Sequence, residues 1–185
     1  MKIQLIIGST RPNRTGPSVA KWLMENLPEV TGIEYETIDL VEYNLPLLDE
    51  PFLPSMLQYQ NDHTKKWSKK INEGDGYIFL TAEYNAGYPA ALKNAIDYLY
   101  HEWAAKPVLI VSYGIGGGTG AASQLRQVVE RLKMRPTKES LQITITKDMR
   151  TDDQQLKDIN SDLGSYVSDL KKNIKELIAD IQPQE

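Results

Sequence analysis

"LIIGSTRPNRTGPSV" (5–19) decides how this chain folds. An apolar run that begins after Lys2 stops at Gly8, and Ser9, Thr10, Arg11, Arg14, Thr15 and Ser18 follow within a few positions. Residues 2–8 are almost continuously apolar, as a strand buried on both faces of a sheet must be. Val19, Ala20, Leu23 and Leu27 then recur at helical spacing, so residues 16–27 read as a helix. A buried strand thus opens onto hydroxyls, a glycine and two arginines, and runs directly into a helix.

The same alternation continues outward. Residues 33–40 alternate and suit an edge strand, 76–84 and 106–114 are again continuously apolar, and 141–146 alternates with threonine. Helical patterns separate them over 61–73, 90–103 and 120–134, the last ending before Arg135 and Pro136. A final helix is expected from Thr151, where Thr151 and Gln154 form a capping-box pattern. Leu156, Ile159, Leu163, Val167, Leu170, Ile174 and Leu177 are expected to pack it on the sheet. Alternating strands and helices call for an α/β fold, a parallel sheet of five strands with helices on both faces. "YNLPLLDEPFLPSM" (43–56), with three prolines, reads as a long ordered loop.

The 185 residues are expected to form one domain, 1–185. No cysteine is present, which removes disulfides and thiolate chemistry and fits a cytoplasmic location. The residues before Gly8 are too few for a signal peptide or a membrane span. The net charge is −4 with no basic stripe, so neither nucleic acid nor a membrane is an expected partner. His63 and His101 stand apart, and no metal site is expected.

In an open parallel sheet, ligands bind beyond the carboxyl ends of the strands, where strand order reverses. With the order 2-1-3-4-5, the loops after strands one, three and four converge there. The first offers Ser9, Arg11, Arg14 and a helix start at Gly16, Pro17 and Ser18. These are hydroxyls, permanent charges and free N–H groups suited to a dianionic phosphate monoester. It lacks the lysine and glycine spacing of a nucleoside triphosphate loop. The second, Glu83, Tyr84, Asn85, Ala86 and Gly87, suits a flat heterocycle met edge-on by backbone, with Asn85 and Gly87 tolerating the tight turn. The third, "SYGIGGGTG" (112–120), has five glycines in nine residues and lets backbone approach a ligand closely. No aspartate closes strand three and no serine–histidine–acid set is in evidence. The pocket reads as a holder for a cofactor that brings its own chemistry, with no catalytic side chain.

"GSTRPNRTGPSVAKW" (8–22), "AEYNAGYPAALKNAIDYLYHEW" (82–103) and "KPVLIVSYGIGGGTGA" (106–121) together resemble the NADPH-dependent FMN reductase family of flavodoxin-like proteins, with its quinone- and azo-reductase members. Ala82 stands where family members often have proline. The resemblance implies a three-layer flavodoxin-like fold. It places FMN phosphate on Ser9, Arg11, Arg14 and Gly16 to Ser18. The isoalloxazine would border Glu83, Tyr84, Asn85 and Ala86, and its pyrimidine end Ser112, Tyr113, Gly114, Gly116 and Gly117. It further implies hydride transfer from NADPH or NADH through FMN to a quinone, azo, flavin or similar acceptor; the alternative is an electron carrier without NAD(P)H oxidation. A homodimer, or a tetramer, is implied as well. Separately, Ala91, Leu92, Ala95, Ile96, Tyr98, Leu99, Tyr100 and Trp103 surround much of the 90–103 helix. They need a cover besides the sheet: a second subunit by preference, or the 43–56 loop.

Overall fold

A computed structural model describes residues 1–181; the last four positions of the expected 1–185 domain lie outside it. The elements run β1 (Lys2–Ile7), α1 (Gly16–Asn26), β2 (Glu34–Asp39), α2 (Leu40–Tyr43), α3 (Asp62–Asn72), β3 (Gly76–Ala82), α4 (Ala90–Asp97), β4 (Pro107–Gly114), α5 (Thr119–Arg131), β5 (Arg135–Pro136), β6 (Leu141–Thr144), α6 (Ile159–Leu163) and α7 (Val167–Ile181). Every strand pairing is parallel. The order is β2-β1-β3-β4-β5, with β6 also on β4, as the sequence predicts apart from one division. The fifth strand position is shared by two segments: β5 pairs with Pro107 and Val108, and β6 with Val111 to Gly114. Pro136 was expected to break the chain. On an edge strand its missing N–H faces away from the sheet, while Arg135 and Thr137 donate to Lys106 and Val108 at 2.9 and 3.0 Å.

The strands carry one core on each face. Val19, Trp22 and Leu23 of α1, with Leu170, Ile174 and Leu177 of α7, cover one side. Trp67 and Ile71 of α3, Leu92 and Ile96 of α4, and Leu125 and Val129 of α5 cover the other. Fully burying such side chains contributes about 1.5–3 kcal/mol each. The apolar stripe near the C-terminus therefore packs on the sheet, as expected.

Two helices are shorter than their patterns. The 90–103 segment leaves the helix after Asp97 because side chains take over its backbone groups: Trp103 Nε1 donates to the Ile96 carbonyl at 3.1 Å, and the Tyr100 N–H donates to Glu102 at 3.2 Å. Glu102 is buried and also accepts the Ser68 and Tyr59 hydroxyls, at 2.6 and 3.0 Å. The cover for this segment is internal. Tyr98, Leu99 and Trp103 are buried within the chain. The 43–56 loop lies against it, with Asn94 Nδ2 donating to the Pro46 carbonyl at 2.6 Å and the Leu48 N–H donating to Asn94 Oδ1 at 2.9 Å.

The helix expected from Thr151 is instead a hook over 149–157. The Thr151 N–H donates to the Gln155 carbonyl at 2.8 Å and Lys157 N–H to Met149 at 2.9 Å, and Arg150 pairs with Leu156 in an antiparallel bridge. Gln154 turns the chain with φ at 62° after the turn-forming Asp152 and Asp153. Helix starts only at α6, with Asp158 accepting the Ser161 N–H at 3.2 Å.

Candidate functional site

The strand register levels the carboxyl ends: Ile7 lies opposite Asp39 and Leu80, Ala82 opposite Tyr113, and Gly114 opposite Thr144. The loops leaving these strands therefore meet over one end of the sheet. They enclose a cleft of ≈ 310 Å³. Arg11, Asn13, Arg14 and Thr15 line it from the first loop, Ala82, Glu83 and Tyr84 from the second, and Tyr113, Gly114, Ile115 and Gly116 from the third. Arg150 and Gln154 of the hook close it.

In the first loop, Arg14 and Asp39 form an ion pair that is mostly buried, and Asp39 also accepts the Val41 N–H at 3.1 Å. Arg14 is thus electrically balanced, yet its Nε is buried with no partner among the described residues. Arg11 is exposed at the cleft. Ser9 is buried, and its hydroxyl shares a hydrogen bond of 2.6 Å with the Tyr84 hydroxyl. Thr15 donates to the Gln154 carbonyl at 2.8 Å and Ser18 to Gln155 Oε1 at 2.5 Å, so these hydroxyls staple the hook. Ser18, placed with the phosphate by resemblance, is engaged in that contact. Thr15, the N-cap of α1, lines the cleft but makes no side-chain cap, so the positive end of the helix dipole starts beside the cleft without a side-chain cap among the described residues; Gly16, Pro17 and Ser18 themselves do not line it.

The second loop is a two-residue turn. Tyr84 and Gly87 exchange backbone hydrogen bonds of 2.8 and 3.0 Å, with φ at 50° for Asn85 and 63° for Ala86. The left-handed pair is therefore Asn85 and Ala86, where the sequence reading put the tolerance on Asn85 and Gly87. A left-handed alanine costs about 1–2 kcal/mol. The Gln124 side chain helps to hold it by donating to the Ala86 carbonyl at 3.0 Å. Glu83 lines the cleft but accepts the Ala121 N–H at 3.1 Å, capping α5, whose own N-cap, Gly118, has no side chain to do so.

In the third loop, Ser112 donates to the Gly117 carbonyl at 2.7 Å, so these two residues frame the turn and do not line the cleft. Gly118 has φ 73°, and a Cβ there would fall 2.8 Å from Ser112 Cβ and 2.9 Å from Tyr113 N. Tyr113 reaches back beneath α1, its hydroxyl 3.0 Å from where a Cβ on Gly16 would lie. Burial pushes that hydroxyl well above the ordinary tyrosine range; Tyr84 adds to the rise, and the Arg14 and Arg150 charges oppose it. Tyr113 therefore keeps its proton, a fixed donor near both guanidinium groups.

Arg150 and Gln154 were not singled out from the sequence, because Thr151 and Gln154 read there as a helix start. Arg150 donates to Gln154 Oε1 at 3.3 Å and to the Ile145 carbonyl at 3.2 Å, and its Nε, like that of Arg14, is buried without a partner among the described residues. Two such donors beside an uncapped helix start fit an anionic phosphate group.

The comparisons agree with this architecture. Residues 1–147 match the family described as NADPH-dependent FMN reductase. Among curated proteins, the chain is 44% identical over 177 residues to a protein named NAD(P)H-dependent FMN reductase from Schizosaccharomyces pombe, covering 95% of this chain and 88% of that one. It is 31% identical to a quinone reductase from Pseudomonas putida, covering 71% of each. Among solved structures, the flavoenzyme NAD(P)H:(acceptor) oxidoreductase FerB from Paracoccus denitrificans superposes with a TM-score of 0.69 at 19% identity, over 95% of this chain and 97% of that one. That likeness is one of fold, flavodoxin-like as expected. With the family match spanning β1 to the end of β6 and including all three cleft loops, the chain belongs to the NADPH-dependent FMN reductase family.

Proposed function

We propose that the cleft binds FMN, with its phosphate at the start of α1 and its ring along residues 83–86 and 113–116. The protein is then an NAD(P)H-dependent FMN reductase or quinone reductase. The observation that carries this reading is the pair of unpartnered buried guanidinium donors beside an uncapped helix start. Bound there, FMN would supply the chemistry of accepting a hydride from a nicotinamide and releasing the electrons to an acceptor. The work of the chain is binding and orientation. Arg11 and the α1 N–H groups attract the phosphate. The left-handed turn at Asn85 and Ala86 fixes a backbone edge, and Tyr113 holds a proton on its hydroxyl below the site. Ile115, 77% exposed, and Tyr84, 37% exposed, give the cleft an apolar rim on which a flat nicotinamide or quinone can stack. The names of the Schizosaccharomyces and Pseudomonas relatives support the donor and a quinone-type acceptor.

Anaerobic mixing of the FMN-loaded protein with NADPH tests the reading. Rapid bleaching of the visible flavin band, reversed by a quinone, is the expected result. A bound flavin that NADPH leaves oxidised would contradict it and point to an electron carrier.

We infer also that the protein is a homodimer. Support comes from Leu47, Leu53, Met56 and Leu57, all exposed on or beside the 43–56 loop. Sedimentation should show a dimer that Leu53→Asp converts to monomer; a monomeric wild type would contradict it.

A further inference from the structure

Resting on the FMN reading above, we propose that Arg150 is a ligand for the cofactor phosphate. The hook that carries it is then the clasp through which the site prefers FMN to riboflavin. Arg150 lies beyond the family-matched residues, yet it lines the same cleft as Arg11 and Arg14. Among the described residues no acid lies within 4 Å of it. Arg14 is balanced by Asp39, whereas Arg150 donates to an amide oxygen of Gln154 and to the Ile145 carbonyl. Arg11 also lacks an ion pair among the described residues, so two free guanidinium charges face a group that carries two negative ones. The Arg150 Nε is a buried donor with no partner, which an anion in the cleft would satisfy.

The hook also places this arginine at the phosphate end. Thr15, Ser18 and Gln155 tie it to the first turn of α1, with Gln155 Nε2 donating to the Arg14 carbonyl at 3.2 Å. Arg14 and Arg150 both act on the Tyr113 hydroxyl, which lies under Gly16. The donors of the first loop and of the hook thus surround the same helix start.

Fluorescence titration of the flavin-stripped full chain with FMN and with riboflavin tests the assignment. The wild type should bind FMN far more tightly than riboflavin. Arg150→Met should cut that ratio by about ten- to a hundredfold while riboflavin affinity stays constant, and Arg150→Lys should restore part of it. An unchanged ratio in Arg150→Met overturns the proposal, as does equal weakening of both flavins, which would make Arg150 a hook brace only. A rise in the KM for NADPH but not NADH, with the flavin ratio intact, would assign Arg150 to the nicotinamide phosphate and overturn it too. A wild type that binds neither flavin, or both alike, instead refutes the FMN reading itself.

Discussion

The two ends of this sheet are built on opposite electrical principles. At the amino end, Lys70 meets Glu36 at 2.5 Å and Glu73 at 2.8 Å, and Lys2 lies 3.5–3.7 Å from Glu34, Glu36 and Glu73. Gln4, buried in β1, donates to Glu36 and to the Lys70 carbonyl at 3.2 and 2.9 Å. Each of these lysines and glutamates has an opposite charge within 4 Å. At the carboxyl end, Arg11 and Arg150 have no acid within 4 Å among the described residues, and Asn13, Asn85, Ala86 and Gln154 have positive φ, against Ala105 and Lys133 at the amino end. Uncompensated charge and left-handed backbone persist only where the surrounding fold enforces them, and such places cluster at functional sites. The amino end is paired charge by charge within the fold; the carboxyl end carries the cleft for which we propose a ligand.

Exchange experiments can break that contrast. The largest effect is expected from Arg11→Ala, which should weaken FMN about ten- to a hundredfold and leave riboflavin affinity and the unfolding midpoint of the flavin-free protein unchanged. Lys70→Met is its mirror: a loss of about 1 kcal/mol in urea unfolding, with FMN affinity intact. If either substitution moved the other's readout, the division of labour between the two ends would fail.

Titration separates the ends by pH. A phosphate monoester loses its second charge below about pH 6, so the FMN-over-riboflavin preference should shrink as pH falls through that value. The amino end responds lower. Burial alone would raise the Glu36 carboxyl, but the hydrogen bonds from Lys70 and Gln4 outweigh it, and the Lys70 hydrogen bond lowers Glu73; both lie below the ordinary 4.5. Carboxyls depressed in the folded state stabilise it fully above their unfolded value, and lose that contribution as pH falls through the folded one. The stability loss from this end should therefore begin only below about pH 4.5 in thermal unfolding scans. The smallest effect concerns the strained turn. Ala86→Gly relieves a left-handed alanine but gives the unfolded chain more freedom, for a net gain of about 0.5 kcal/mol in urea unfolding.

The legible parts of the molecule were those written in local pattern. Buried strands such as 76–84 have no polar face to confuse the reading, and their parallel pairing follows from the alternation with helices, whereas their order came with the family resemblance. The first loop was legible as a cleft wall because a buried strand ends there, and Arg11, Arg14 and Thr15 line the cleft; that Thr15 and Ser18 would instead hold the hook was not legible. What was hidden depended on distant partners. Pro136 looks like a breaker until the sheet edge shows that its N–H is not needed. Trp103 and Glu102 end a helix by claiming its backbone groups, which no local spacing reveals. Arg150 was missed because Thr151 and Gln154 mimic a helix start, whereas the segment pairs with itself as a hook that Thr15 and Ser18, far back in the chain, hold in place.

A crystal structure with FMN tests the central claim most directly. The account predicts the phosphate at the first turn of α1, within hydrogen-bond reach of Arg11 and Arg150 and above the Tyr113 hydroxyl. A phosphate seated elsewhere, with those guanidinium groups turned to solvent, would contradict it.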